Sequence, residues 1–350
     1  MSASDQHTGG VCHDEGRPSM AAERRGERHR MTTERRGRRQ WANLGAVTRI
    51  LSDDKVLDNT LLNRLGAQVL RTVVARAAYT LRPVTTDEAV TAAVDELKTE
   101  GLLLLPNFLS PDHFEGVVQE CAWLDRCPEH KLTTTEGPTI QEVSPIGRFG
   151  DSVLPRIHAF FRDARLSGLL EASEKWPFGD LAHYGIGQRL THGAGAPRSK
   201  EDPQAELHSD IFFTSHKAWL FLDDVRLEDG PFVYVKRSHR LAASRLWAIY
   251  RHSCGKDELA DPSRRMARAE QDRMSLVETI VTCPKNTLVV ANVCGYHRRL
   301  QGQAGRQRHA LALSLRTNPF LAHALRARLA GHARLYEALR RVKRQFANDP

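Results

Sequence analysis

Apolar residues recur at helical spacing early in the chain and at strand spacing in its second half. Leu61, Leu65, Val69 and Val73 repeat every four residues and predict an amphipathic helix from Asp58 to near Pro83. A second helix follows, with Thr85 and Glu88 at capping-box spacing, a buried stripe of Val90, Val94 and Leu97, and Gly101 where a left-handed C-cap is wanted. Leu102 to Leu105 then reads as a short buried strand closed by Pro106. Ser110-Pro111-Asp112 opens a third helix through Cys121, the proline sitting in the first turn, where its missing N–H costs nothing. Residues 185–203 are rich in glycine and proline and read as a loop. Across 207–235 and 279–315, short alternating or apolar runs broken by Asp-Gly-Pro and Pro-Lys-Asn turns predict a β-sheet region. The stretch between them reads as mostly helical, and Leu325, Leu329, His332, Tyr336 and Leu339 form an apolar seam on a strongly basic terminal helix.

These elements divide the chain. Residues 1–40 contain no Leu, Ile or Phe and only Val11 among the branched aliphatics, too little apolar surface to fold, so they are expected to be a disordered arm of mixed charge. A helical segment, 41–99, precedes a β-domain, 100–320, that carries the helical insert 241–278, and the basic helix 321–350 closes the chain. Helices first, sheet second and helix last is the order of an α+β fold with a β-barrel or jelly-roll core.

The formal charge of +9 changes meaning once it is located. From Tyr296 onward, twelve Arg or Lys stand against two acids, a local net of +10, and the remaining 295 residues net −1. That distribution excludes a uniformly basic, nucleic-acid-coating protein. Six cysteines without any Cys-x-x-Cys spacing argue against a zinc ribbon or a disulfide framework and suit the reduced thiols of a cytoplasmic protein. No run of 18 apolar residues and no apolar leader are present, so neither a membrane span nor secretion is expected.

Candidate chemistry begins with His208 and Asp210, joined later by His297. Two histidines and one carboxylate on one face leave three positions open on a non-haem Fe(II) ion. A His-x-acid pair alone is weak: about two are expected by chance in this composition, and another occurs at His113 and Glu115 in a helix first turn. His208 instead enters a β-run, where alternate residues share a face and both side chains can reach one ion. The next strand places Lys217, Trp219 and Phe221 on one face and Ala218, Leu220 and Leu222 on the other. In the last strand Arg308, Ala310, Ala312 and Ser314 share a face, and small residues beside a cationic head leave a cavity. Arg308, eleven residues after His297, is placed to clamp a carboxylate, as a 2-oxoacid cosubstrate would require, with Arg306 as the competitor if the strand starts earlier. Asp223, Asp224, Glu228 and Asp229 read as a solvated acidic turn, and His216 and His239 as turn or core histidines.

The run His208-Ser209-Asp210, Lys217-Ala218-Trp219-Leu220-Phe221-Leu222-Asp223-Asp224-Val225, Glu228-Asp229-Gly230-Pro231-Phe232 and Ser238-His239-Arg240 resembles the phytanoyl-CoA dioxygenase family of Fe(II)/2-oxoglutarate-dependent oxygenases. The likeness spans about residues 100–320 and includes the opening Gly101-Leu102-Leu103-Leu104-Leu105-Pro106. It departs at Lys236-Arg237-Ser238-His239, where the family turn is Pro-Gly-Ser-His, and at Arg298-Arg299, where smaller residues are common. The resemblance implies a double-stranded β-helix with helices packed on one sheet. It also implies His208, Asp210 and His297 as iron ligands, Arg308 on the distal carboxylate of 2-oxoglutarate, and Trp219 and, more weakly, Lys217 beside the cosubstrate.

The implied activity is hydroxylation of a small organic molecule with Fe(II), 2-oxoglutarate and O2, succinate and CO2 as coproducts, and ascorbate as a stimulant. Hydroxylation is preferred to halogenation because Asp210, the carboxylate that related halogenases lack, is present. Arg298, Arg299 and Arg306 near the site suggest an anionic substrate, and Gln188, Arg189 and His192 are the polar residues expected to face it. No nucleic-acid partner is expected, and the C-terminal helix is expected to pack its seam either on the β-domain or on a second subunit, as a homodimer. The alternative is an inactive β-helix scaffold whose basic helix engages an anionic partner.

Overall fold

The computed structural model describes residues 56–57, 59–83, 87–193, 202–255, 265–266 and 268–320. The arm 1–40, the basic helix 321–350 and the capping residue Thr85 lie outside them. In chain order the helices are α1 (Thr60–Arg64), α2 (Ala67–Thr80), α3 (Glu88–Glu100), α4 (Pro111–Leu124), α5 (Pro155–Phe161), α6 (Ala164–Glu174), α7 (Ala243–Cys254) and α8 (Arg268–Arg273). The strands are β1 (Leu102–Leu105), β2 (Leu132–Glu136), β3 (Thr139–Pro145), β4 (Gly185–His192), β5 (His216–Phe221), β6 (Phe232–Val235), β7 (Glu278–Ile280), β8 (Leu288–Asn292), β9 (His297–Arg299) and β10 (Gln307–Ser314).

Seven antiparallel strands form the larger sheet in the order β1-β8-β5-β10-β4-β3-β2, and β7-β6-β9 form the smaller one. A reciprocal bridge between His208 and His297 extends the smaller sheet beyond β9. Alternation along β5 and β10 sorts the large sheet's faces. Ala218, Leu220, Leu222, Leu311, Leu313 and Leu315 pack with Val94, Leu97, Val117, Phe160 and Leu170 of the helices. Phe221, Ala310 and Trp219 face the other way, onto Phe232 and Tyr234 of the small sheet. Helices on one face and a second sheet on the other make this an α+β double-stranded β-helix.

α3 buries Val90, Val94 and Leu97, but its N-cap is Asp87, which accepts from the Ala89 N–H. The helix ends at Gly101 (φ 78°), whose amide donates to Leu97 O at 2.8 Å. A Cβ there would lie 2.3 Å from Tyr234 Oη and 2.4 Å from His239 Nδ1. Gly101→Ala is therefore expected to destabilise the fold by more than about 2 kcal/mol, read as a lowered denaturant midpoint. An unchanged midpoint would contradict the close approach.

Two expectations fail here. The helix anticipated from Asp58 to Pro83 is broken at Gly66 (φ 84°), and its apolar stripe faces out: Leu61 is 69 % and Leu65 77 % exposed. Asn63 and Gln68 are fully buried instead. They are needed inside because Asn63 Nδ2 donates to Leu57 O and Ser253 O, and Gln68 Oε1 accepts from the Leu57 N–H, which satisfies buried backbone. The other failure is the loop 185–203, whose first eight residues are β4, paired on both sides by β3 and β10. Gly185 marks a close approach rather than a turn: a Cβ there would fall 2.4 Å from the Phe161 ring. The insert 241–278 holds α7 and α8, and its last residue belongs to β7.

Candidate metal centre

His208 and His297 stand on neighbouring antiparallel segments. Each donates its backbone N–H to the other's carbonyl at 2.9 Å, the Asp210 N–H donates to Val293 O, and Ser209 Oγ donates to Cys294 O. Ser209 turns away into this stitching, which leaves the residues on either side of it on the opposite face. His208 Nε2 lies 3.7 Å from Asp210 Oδ1, and His297 Nε2 lies 3.7 Å from Asp210 Oδ2. One donor atom from each residue falls within 4.8 Å of the others, and all three side chains are buried.

The ring nitrogens turned away from the centre are engaged. His208 Nδ1 donates to Glu206 O at 2.7 Å and His297 Nδ1 to Gly295 O at 3.0 Å, the tautomer that leaves both Nε2 lone pairs facing inward. Burial, with His297 beside it, pushes His208 down to about 3, so it is a neutral imidazole at neutral pH. Burial alone would raise the Asp210 carboxyl, but the Lys217 ammonium and the two imidazoles outweigh it and hold the group well below the usual range. Asp210 Oδ2 is buried and accepts no hydrogen bond. Two inward imidazole lone pairs and one orphaned carboxylate oxygen fit a divalent transition metal with open positions.

Arg245, in the helical insert, props the loop that carries His297. Its guanidinium donates to Ser238 O and Cys294 O and lies 4.7 Å over the Tyr296 ring, while Ser238 Oγ accepts from the Tyr296 N–H at 2.7 Å. Sequence reading missed Arg245, and a lone arginine in a helix gives no signal that could find it.

Aromatic rings wall the centre toward the large sheet. Phe232 lies 5.6 Å from the His297 ring and 5.0 Å from Trp219. Arg308 is buried, 5.5 Å over the Phe221 ring, and among the described residues its guanidinium makes one hydrogen bond, from Nη1 to Gly230 O. Burial, aided by Arg299, pushes it down to about 9, which still leaves it charged at neutral pH. A buried arginine without a carboxylate partner is costly, and a ligand carboxylate would offset that cost.

The other cations are already paired. β10 starts at Gln307, so Arg306 falls before it, half-exposed, and pairs with buried Asp229 and partly exposed Glu228. Arg298 pairs with Glu278, and Arg299 with Asp202 and Glu136. Of the acidic turn, Asp229 is buried, accepting from the Arg226 N–H and Arg306 Nε. Arg189 binds Glu142 and Asp125, whereas His192 is buried between Thr139 Oγ1 and Asp229 O. Gln188 lies in β4 opposite Ala310 and Val143. A groove of about 690 Å³ lined by Asp112, Glu115, Trp123 and Arg156 includes none of these site residues. No helix among the described residues is long and apolar enough to cross a membrane.

No family model and no curated protein matches this chain. Among solved structures, it is similar to the epimerase SnoN in complex with Fe3+, alpha ketoglutarate and nogalamycin RO, at 15 % identity and a TM-score of 0.45, over 65 % of this chain and 82 % of that one. HygX from Streptomyces hygroscopicus with nickel and 2-oxoglutarate bound gives 18 % identity and a TM-score of 0.41, over 64 % and 85 % of the two chains. The non-heme alpha ketoglutarate dependent carbocyclase SnoK gives 16 % and 0.40, over 66 % and 86 %.

Proposed function

We propose that this chain is an Fe(II)- and 2-oxoglutarate-dependent oxygenase that hydroxylates a small organic molecule. The observation carrying the reading is a juxtaposition between the two sheets. His208, Asp210 and His297 converge, with Asp210 Oδ2 accepting no hydrogen bond, and Arg308 is buried, among the described residues without a carboxylate partner. When bound, Fe(II) with 2-oxoglutarate and O2 supplies oxidation of an unactivated C–H bond, with succinate and CO2 as coproducts.

The protein's own contribution is binding and exclusion. The Glu206 and Gly295 carbonyls fix both imidazole rings so that no reorientation is needed for ligation. Asp210 supplies the one negative charge of the ligand set and fills the position a halide would need, which favours hydroxylation over halogenation. Arg308 binds the distal carboxylate of 2-oxoglutarate in a space whose dryness strengthens the pair. Trp219 and Phe232 keep bulk water from the ring of His297. The charges of Arg298, Arg299 and Arg306 are matched internally, so they give no reason to expect an anionic substrate.

The direct experiment measures succinate formation from 2-oxoglutarate with Fe(II) and ascorbate across a small-molecule library that pairs carboxylated compounds with neutral analogues. Substrate-stimulated succinate formation, with the substrate gaining one oxygen, is expected. Protein that binds neither Fe(II) nor 2-oxoglutarate would overturn the reading.

A further inference from the structure

Lys217 Nζ lies 2.5 Å from Asp210 Oδ2, nearer than either imidazole nitrogen, yet outside hydrogen-bonding direction. The ammonium therefore sits beside the oxygen a metal would use. Lys217 also stands apart from the cosubstrate end of the pocket. It pairs with Ser314 across β5 and β10, whereas Arg308 lies six residues earlier on β10, a backbone offset of about 20 Å. Its side chain is 29 % exposed, so it has somewhere to go.

We infer that Lys217 is a placeholder cation: it neutralises Asp210 in the metal-free protein and is displaced toward solvent when a divalent metal binds. The inference rests on the metal-site reading above. A buried carboxylate left uncompensated is costly, so the lysine keeps the empty site folded. The same positive charge must be moved before a metal can reach Oδ2, so it also weakens metal binding. One residue thus acts with opposite signs in the two states, which a purely structural lysine would not do.

The test uses the full chain stripped with a chelator and titrated calorimetrically with Ni2+, which is redox-inert. Lys217→Met is expected to bind Ni2+ about tenfold more tightly than the wild type. Its metal-free form should melt at a lower temperature, with a larger rise on adding Ni2+. Affinity for 2-oxoglutarate on the Ni2+-loaded protein should stay within about threefold, because Arg308 holds its far end. Amine labelling of the wild type read by mass spectrometry needs no variant: Lys217 should label faster once Ni2+ is bound. Equal or weaker Ni2+ binding by Lys217→Met, or labelling that Ni2+ does not accelerate, would overturn the inference while leaving the metal site standing. A wild type that takes up no Ni2+ would instead sink the metal-site reading itself.

Discussion

Asp210→Ala is expected to lose metal binding by about 100-fold or more and to form no succinate above background. The ligand set holds a single negative charge, and removing it leaves only two imidazole nitrogens facing a cation. His208, held neutral by burial, cannot replace that charge. The substitution also leaves Lys217 Nζ beside the imidazoles with no anion to offset it. Metal content by mass spectrometry and calorimetric titration with Ni2+ check the first effect, and the 2-oxoglutarate turnover assay checks the second. His297→Ala should behave alike in both assays, but for loss of a donor atom rather than of charge. A stoichiometric metal content in Asp210→Ala would mean that the three residues converge without binding an ion.

The site was legible in the sequence to the extent that it obeys strand periodicity. His208 and Asp210 flank one residue, and Arg308, Ala310 and Ala312 alternate with leucines, so facing follows from the two-residue repeat alone. The same rule separated Lys217 and Trp219 from Ala218 and Leu220, and the two cores divide along that line. Periodicity failed where polar groups decided the face. In α1 and α2 the four-residue stripe is real, but Asn63 and Gln68 are claimed by buried backbone at Leu57 and Ser253, and the leucines are left outside. Glycine misled in β4, where Gly185 answers the Phe161 ring. The hairpin β2–β3 went unread, although Thr133-Thr134-Thr135 before Gly137-Pro138 is a strand followed by a turn.

Charge was the least legible property, because its partners are distant in sequence. Arg299 meets Asp202 and Glu136 across 97 and 163 residues, and Arg298 meets Glu278 across 20. Counting cations near His297 therefore overstated the positive field of the site. The network built by Arg299 has a positional consequence instead. It joins the far end of β9, two residues past His297, to the β2–β3 hairpin and to Asp202, which anchors the end of the strand that carries His297.

Arg308→Met is expected to weaken 2-oxoglutarate binding by about 2–5 kcal/mol, some 30-fold to several thousand-fold, while leaving affinity for Ni2+ nearly unchanged. The asymmetry follows from placement. Arg308 touches Gly230 O and the Phe221 ring rather than any metal ligand, and among the described residues it has no carboxylate of its own. Removing it deletes a desolvated charge whose cost is offset only by the bound ligand, so the metal-loaded protein without cosubstrate should melt at a similar or higher temperature. Arg308→Lys should recover only part of the loss, since an ammonium cannot form the two parallel hydrogen bonds that a guanidinium gives a carboxylate. Arg306→Ala is the discriminating control. Its guanidinium is half-exposed and pairs with buried Asp229 and partly exposed Glu228, so Arg306→Ala should change 2-oxoglutarate affinity far less than Arg308→Met does. Titration of 2-oxoglutarate into Ni2+-loaded proteins separates the two arginines directly. If Arg306→Ala carried the larger loss, the clamp would have to sit on the turn before β10, and the small-residue face of Ala310 and Ala312 would need another occupant.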